Sequence, residues 1–297
     1  MAKIPVIVNA RSSGTEKALS QVEQLFRDRG LRIDGPYVAE NARTLRKRIK
    51  RAMKRGARIV AVGGGDGSMT CAANALAHRK CALAVLPLGT GNSFAQTLGL
   101  SGDLQQAVDT IAGGRVAHVD LGVVNRTFFA NFATIGFPAE VAAATKNPLK
   151  RLFGVGAYVI GAVRPFFTHN AFVASVRSEQ GRLKLRTRQI VVASGRFFGR
   201  QPLTPEAGIQ SGKLAFFTTT GVSHAELVRT YLAVATGQQA HLPDAETLSI
   251  ERISVRTRPR QRLSIDGEQL GFTPARFHVA ANALRVLVPP EFFRDET

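Results

Sequence analysis

Short apolar runs, glycine-bearing loops and helically spaced apolar residues recur in that order through the first third of the chain. "KIPVIVNARSSGTEKALSQVEQLFRDRG", "ARIVAVGGGDGSMTCAANALAH" and "CALAVLPLGTGNSFAQTLGL" are three copies of this pattern. In the first, Leu19, Val22, Leu25 and Phe26 mark the buried stripe of a helix. The strand segments show no polar alternation, as expected when both faces are covered. Strand, loop and helix in succession predict a parallel sheet flanked by helices, the α/β class. Ligands of such sheets bind beyond the carboxyl ends of the strands, where these loops lie. Between the first two copies, "ARTLRKRIKRAMKRGARI" predicts an amphipathic helix. Leu45, Ile49, Ala52 and Met53 share one face, and Arg46, Lys47, Lys50, Arg51, Lys54 and Arg55 occupy the others.

After about residue 116 the pattern shifts to short alternating or β-branched runs. Among them are "AHVDLGVV", "TFFANFATIGF", "AFVASVRS", "RLKLRTRQIVVASG", "KLAFFTTTG", "TLSIERISVRT" and "RFHVAANALRVLVP". They predict a strand-rich second domain with helices near 149–164 and 223–236. We place the α/β domain at 1–124 and the β-rich domain at 125–279. The apolar segment around Leu152–Val163 carries basic flanks at Lys146, Lys150, Arg151 and Arg164. It fits a helix lying against a membrane and, equally, a core helix of the second domain.

Composition narrows the class. With 297 residues, 44 % of them hydrophobic, a packed core is available and wholesale disorder is excluded. Cys71 and Cys81 are the only cysteines, which gives no disulfide framework and no zinc spacing. The apolar run of the N-terminus is too short for a signal peptide, and Leu152–Val163 is too short for a membrane span. The expectation is a soluble cytoplasmic protein. A net charge of +19 predicts attraction to polyanions such as nucleic acid, anionic lipid or phosphorylated ligands. No tryptophan and three tyrosines leave little for base stacking, and no nucleic-acid reader motif occurs, so nucleic acid is not expected as a partner.

The loops carry the candidate chemistry. Consecutive glycines let backbone N–H groups converge, and a following helix adds orphan donors and the positive end of its dipole. "GGGDG" (63–67), leading into Ser68, and "PLGTGNSFA", with Thr90 and Asn92, both meet these conditions; "NARSSG" is a weaker third case. Gly64, Gly65, Asp66, Gly67 and Ser68 are thus candidate phosphate contacts. The spacing matches neither the dinucleotide fingerprint, because Ser68 stands where glycine is needed, nor a Walker loop. A carboxylate inside a phosphate loop makes sense if Mg²⁺ lies between them or if Asp66 orders the loop. Asp266 and Glu268 stand on either side of Gly267 after "RLSI", and on residues alone the Asp266-Gly267 pair is a hairpin turn. Arg196 reads as a solvated loop arginine, with phosphate or a headgroup as its alternative ligand. His118 and His278 read as packing residues of strands.

"GGGDGS" followed by "LPLGTGNSFA" resembles the diacylglycerol kinase catalytic-domain family, which includes bacterial lipid kinases and sphingosine kinases and has more distant NAD-kinase kin. The resemblance runs over nearly the whole chain. "NARSSG" sits at the family's Asn-Pro-x-x-Gly loop, and "LSIDGEQL" at its Asp-Gly-Glu motif. It implies an α/β nucleotide domain, a β-sandwich domain, and a final segment, 280–297, that returns to the first. It implies ATP and Mg²⁺ as cofactors and transfer of the γ-phosphate to a lipid hydroxyl. The acceptor is expected to be diacylglycerol or a related lipid, with sphingoid-base or NAD-kinase-like transfer and a weakened nucleotide or lipid sensor as alternatives. By the same resemblance Asn9 and Gly14 lie near the nucleotide, Gly65 to Ser68 cradle its phosphates, and Thr90 and Asn92 line the cleft. Asp66 meets Mg²⁺ through the nucleotide. Asp266 or Glu268 supplies the catalytic carboxylate, with Asp66 as a further catalytic candidate. The expected setting is an anionic membrane at the inner face, with a homodimer compatible with the pattern. The chain departs from the family at Ala10, Ala39 and Cys71, at Ser93 after "GTGN", and at Ser211, which replaces an aspartate of a structural magnesium site.

Overall fold

In a computed structural model, residues 3–10, 15–145, 156–194, 197–198, 201–202 and 208–293 are described. The chain divides into two compact units, Met1–Val119 with Asn282–Thr297, and Asp120–Ala281.

The first unit is built on β1 (Ile4–Asn9), β2 (Ile33–Ala39), β3 (Ile59–Gly64) and β4 (Ala82–Pro87), parallel in the order β2–β1–β3–β4. Helices α1 (Thr15–Asp28), α2 (Ala42–Lys54), α3 (Asp66–Leu76), α4 (Ser93–Thr97) and α5 (Leu104–Gly113) connect and follow the strands. Alternate strand residues divide between two layers. Val6, Val8, Ala61, Ala84 and Leu86 face Val22 and Phe26 of α1 and Leu104, Val108 and Ile111 of α5. The basic helix α2 buries Leu45, Ile49 and Ala52, and Asn41 caps its start by accepting the Thr44 amide. Register aligns the strand ends: Val8 pairs with Gly63, and Gly64 with Pro87. The three loops that follow therefore emerge at one edge.

The second unit begins within β5 (Arg115–Val124) and continues through β6 (Thr127–Phe129), β7 (Phe132–Gly136), α6 (Phe137–Ala144), α7 (Gly156–Thr168), β8 (Phe172–Ser178), β9 (Gly181–Thr187) and β10 (Gln189–Ala193). After the two-residue strands β11 (Phe197–Phe198) and β12 (Gln201–Pro202) come β13 (Leu214–Thr219), α8 (His224–Thr236), β14 (Ala245–Ile250), β15 (Arg252–Arg258), β16 (Arg262–Ile265), β17 (Glu268–Phe272) and β18 (Ala275–Val288). One antiparallel sheet runs β14–β13–β10–β7–β16–β17. The other runs β18–β15–β8–β9, also antiparallel. Phe129, Ile135, Phe172, Ile190, Phe216 and Phe277 fill the space between them. This is the expected β-sandwich. On the outer side of the first sheet, Val191, Ala193, Ala215 and Phe217 meet Ala233 of α8. The last part of β18 belongs to the first unit, where Val286 lies parallel to Leu83 of β4.

Several expectations need correction. "RLKLRTRQIVVASG" is two strands in different sheets, β9 and β10, broken at Arg188. Arg188 is buried; its Nε donates to Val222 O at 2.6 Å and its Nη1 to His169 O at 2.9 Å. The side chain fastens the segments after α7 and before α8, a demand that alternation does not reveal. Helix α6 was not foreseen: it follows the strand-like run "TFFANFATIGF" and starts after Gly136 (φ +83°) with a proline in its first turn. The helix expected at 149–164 extends to Thr168, with Pro165 inside it, and its expected first residues lie outside the described ones. His118 and His278 sit on strands but are exposed, so they are not packing residues.

Candidate active site

At the carboxyl edge of the first unit's sheet, two glycine loops touch backbone to backbone. A Cβ on Gly89 would collide with Gly65 Cα, and a Cβ on Gly65 would come within 3.2 Å of Gly89 Cα. Only glycine permits that approach. Gly64, at φ +158°, ends β3 and turns the chain so that Gly65 becomes the N-cap of α3. Its N-cap is a glycine and lends no side-chain cap of its own. Gly65, Asp66 and Gly67 are half-buried, and Ser68 is buried. A glycine-rich helix N-terminus of this kind presents backbone N–H groups to phosphate oxygens.

Side chains fix the cradle. Asn9 Nδ2 donates to Ser68 Oγ at 2.8 Å, joining the end of β1 to the first turn of α3. The Phe94 amide donates to Asp66 Oδ1 at 3.0 Å, so Asp66 of the first glycine loop caps α4 of the second. A Cβ on Gly91 would lie 3.2 Å from Asp66 Oδ2. Asn92 takes a left-handed conformation, φ +51° and ψ +37°, and closes its turn twice. Its Oδ1 accepts the Gly89 amide at 2.9 Å, and its Nδ2 donates to Gly89 O at 2.8 Å. Thr90 is exposed at the tip of this turn. The first unit thus assembles Asn9, Gly64, Gly65, Asp66, Gly67, Ser68, Thr90 and Asn92, while Gly14 lies outside the described residues. The sequence reading took "PLGTGNSFA" as a cradle loop and named Thr90 and Asn92 in it; the structure adds the close contacts of Gly89 and Gly91 and the tie from the Phe94 amide to Asp66.

The residues present fit a nucleotide phosphate with magnesium. Mg²⁺ is usually held by one or two carboxylates together with substrate phosphates, not by an all-protein cage. Asp66 is such a carboxylate, in the first turn of α3. Among the described residues there is no cluster of three or more His, Cys, Asp or Glu side chains of the kind that cages a metal.

Asp266 and Glu268 belong to the second unit. Asp266 (φ +45°) and Gly267 (φ +80°) form the two-residue turn between β16 and β17, as the Asp-Gly pair foretells. The Asp266 carboxylate also accepts the Ala130 amide at Oδ2 (3.1 Å) and the Asn131 and Phe132 amides at Oδ1 (3.1 and 3.0 Å). It therefore orders the segment between β6 and β7. Glu268 is exposed at the start of β17.

Three departures have structural explanations. Cys71 is buried on α3 and its thiol contacts Ala42 O at 3.3 Å, so this position faces α2. Ser211 closes its own turn: its Oγ accepts the Gly208 and Lys213 amides at 3.0 and 3.2 Å. The buried carboxylate of Asp120 accepts the Gly212 amide at 2.7 Å. Hydrogen bonds hold that loop where the resemblance implies a metal in other members. Ala39 is fully buried at the end of β2. Arg196 lies outside the described residues.

Comparison with known proteins agrees with this geometry. Residues 3–124 match the diacylglycerol kinase catalytic domain, and residues 131–288 match the YegS C-terminal NAD kinase beta sandwich-like domain. A probable lipid kinase YegS-like from Klebsiella pneumoniae is 30 % identical over 290 residues, covering 96 % of each chain. A diacylglycerol kinase from Staphylococcus haemolyticus is 26 % identical over 265 residues, covering 88 % of this chain and 80 % of the relative. The crystal structure of a putative diacylglycerol kinase from Bacillus anthracis superposes with a TM-score of 0.82 at 20 % identity, covering 98 % and 96 % of the two chains; at that identity the likeness concerns the fold.

Proposed function

The chain belongs to the diacylglycerol kinase catalytic-domain family and is a kinase with an alcohol acceptor, and on this premise we propose that it transfers the γ-phosphoryl group of ATP to a hydroxyl of diacylglycerol or a related lipid. The observation that carries the reading is the contact of the two glycine loops, Gly65 against Gly89, locked by the Asp66–Phe94 hydrogen bond at a helix start whose N-cap is glycine. Phosphoryl transfer asks little covalent chemistry of a protein; it asks for position and for charge stabilisation. The amides at the start of α3 bind phosphate oxygens, and Asn9 holds Ser68 in place beneath them. Asp66 keeps the second loop in register with the first and offers its carboxylate toward the metal. Bound Mg²⁺ would supply neutralisation of the phosphate charge. Asp266 shapes the turn that presents Glu268, and Glu268 is the carboxylate exposed to accept a hydroxyl proton.

The deciding experiment measures transfer of labelled γ-phosphate from MgATP to diacylglycerols, sphingoid bases and NAD, beside the Glu268→Gln variant. The expected result is labelled phosphatidic acid, with turnover lowered at least ~100-fold in the variant and ATP binding unchanged. Full turnover in Glu268→Gln would move the base to Asp266. Labelled sphingoid phosphate or NADP, with no phosphatidic acid, would replace the acceptor. ATP binding without any labelled product would favour a nucleotide sensor.

A further inference from the structure

The outer face of the β18–β15–β8–β9 sheet carries seven arginines and one lysine among its twelve paired outward positions. Its strands alternate cleanly between buried and exposed residues. The register arranges the exposed ones in rows. Arg182 of β9, Arg177 of β8, Ser254 of β15 and Arg276 of β18 form one row. Lys184, Ser175 and Arg256 form the next, and Arg186, Val173 and Arg258 the third. Arg252 stands opposite His278 at the other end. No acidic residue occupies a position on this face. The nearest acids, Glu179 and Glu251, sit at strand ends, and the Glu179 carboxylate accepts the Glu251 amide at 2.6 Å. Among the described residues, none of these arginines, nor Lys184, joins an ion pair; the pairs present lie elsewhere.

This arrangement works against the sheet's own stability. Arg177 and Arg182 are directly opposite on neighbouring strands, and like charges so placed destabilise a sheet. A local rule broken without a compensating contact points to function. Strands about 4.8 Å apart, with same-face residues roughly 6.8 Å apart along each strand, spread the charges over one broad sheet face. Apart from the imidazole of His278, no aromatic side chain stands in these rows, so they offer no base-stacking platform.

We infer that this sheet face docks the protein on the phosphate headgroups of an anionic lipid bilayer. The choice of a bilayer over other polyanions rests on the lipid-kinase reading, since a kinase of membrane lipids must meet its acceptor at a surface. A competing surface exists in the same unit. Ile160, Val163 and Phe167 of α7 and Val228 and Leu232 of α8 are exposed, with Phe167 at 73 % and Leu232 at 62 %. The Phe166 ring lies 4.9 Å from the His224 ring, which joins the two helices. Helix α8 covers the opposite sheet of the sandwich, so one flat bilayer can meet the arginine face or the helix face, but not both. The arginine face predicts binding that needs anionic lipid and weakens with salt; the helix face predicts binding that needs neither.

The test is flotation with vesicles of phosphatidylcholine, with and without phosphatidylglycerol, in the absence of nucleotide. The parent protein is expected on the phosphatidylglycerol vesicles alone and is released as salt rises. The Arg182→Ser, Arg186→Ser, Arg256→Ser, Arg258→Ser variant is expected to lose at least ~10-fold in vesicle affinity. Its phosphoryl transfer to a short-chain diacylglycerol in neutral micelles is expected to stay at the parent level, which shows that it is folded. The Phe167→Ser, Leu232→Ser variant is expected to bind like the parent. Unchanged binding by the arginine variant, loss confined to the helix variant, or tighter binding of duplex DNA than of anionic vesicles would each overturn the proposal. Arginine-dependent vesicle binding without transfer to any lipid would leave this surface standing and remove the kinase reading instead.

Discussion

At Asp66 the loop contact and the charge can be separated, because asparagine keeps an oxygen where the Phe94 amide needs one. Asp66→Asn is expected to retain the hydrogen bond between the glycine loops and to unfold within ~0.5 kcal/mol of the parent. Asp66→Ala removes the acceptor as well and is expected to cost about 1–2 kcal/mol, as loss of a helix cap does. If the carboxylate serves the metal, both variants lose turnover alike despite their different stabilities. If Asp66 only orders the loops, Asp66→Asn keeps most of its activity. Denaturant titration beside a kinase assay checks both quantities. The two roles stayed open in the sequence because the partner amide is 28 residues away and belongs to the backbone. The glycine spacing made the cradle legible, whereas the approach of Gly65 to Gly89 is a tertiary contact that no local pattern encodes. Asp266 shows the same limit more sharply. Its turn was readable from Asp-Gly, but its three amide partners come from a segment about 135 positions earlier.

At the level of elements, alternation in "FVASVRS" and "GRLKLRT" announces strands and assigns their faces, and the register then turns two ordinary basic strands into opposed like charges. Arg182→Glu would replace the repulsion across from Arg177 with attraction. The variant is expected to be more stable than the parent by ~0.2–1 kcal/mol at low ionic strength, and the gain should shrink in high salt. Thermal unfolding at two salt concentrations measures it. A destabilised variant would mean that Arg182 contributes packing through its aliphatic stem. Arg188 explains why the same alternation misled further along the chain. An arginine in a strand-like run reads as solvent-facing, yet this one is buried and spends its donors on two carbonyls where the chain crosses between sheets. Helix α6 went unread because it is only 8 residues long and follows the strand directly, the break lying in the backbone of Gly136.

Across the whole molecule, the order of the chain gives the two units different independence. Residues 120–281 are continuous and contain both sheets of the sandwich with its core between them. The first unit is discontinuous, because Leu284, Val286, Leu287 and Val288 are buried in it but arrive only after the second unit has been traversed. Without them β4 keeps β3 on one side but loses its neighbour on the other, and an apolar strand edge is left open to pairing with other chains. A fragment of residues 1–119 is therefore expected to aggregate or to stay incompletely folded, although it holds the entire glycine cradle. The same fragment with 282–293 joined by a flexible linker should fold and bind ATP, and residues 120–281 should fold alone. Circular dichroism and size-exclusion chromatography of the three fragments test this directly. A monomeric, cooperatively folding 1–119 would show that the returning strand is dispensable. Recovery of ATP binding only on adding 282–293 would show that the last strand completes the sheet whose edge presents the phosphate loops.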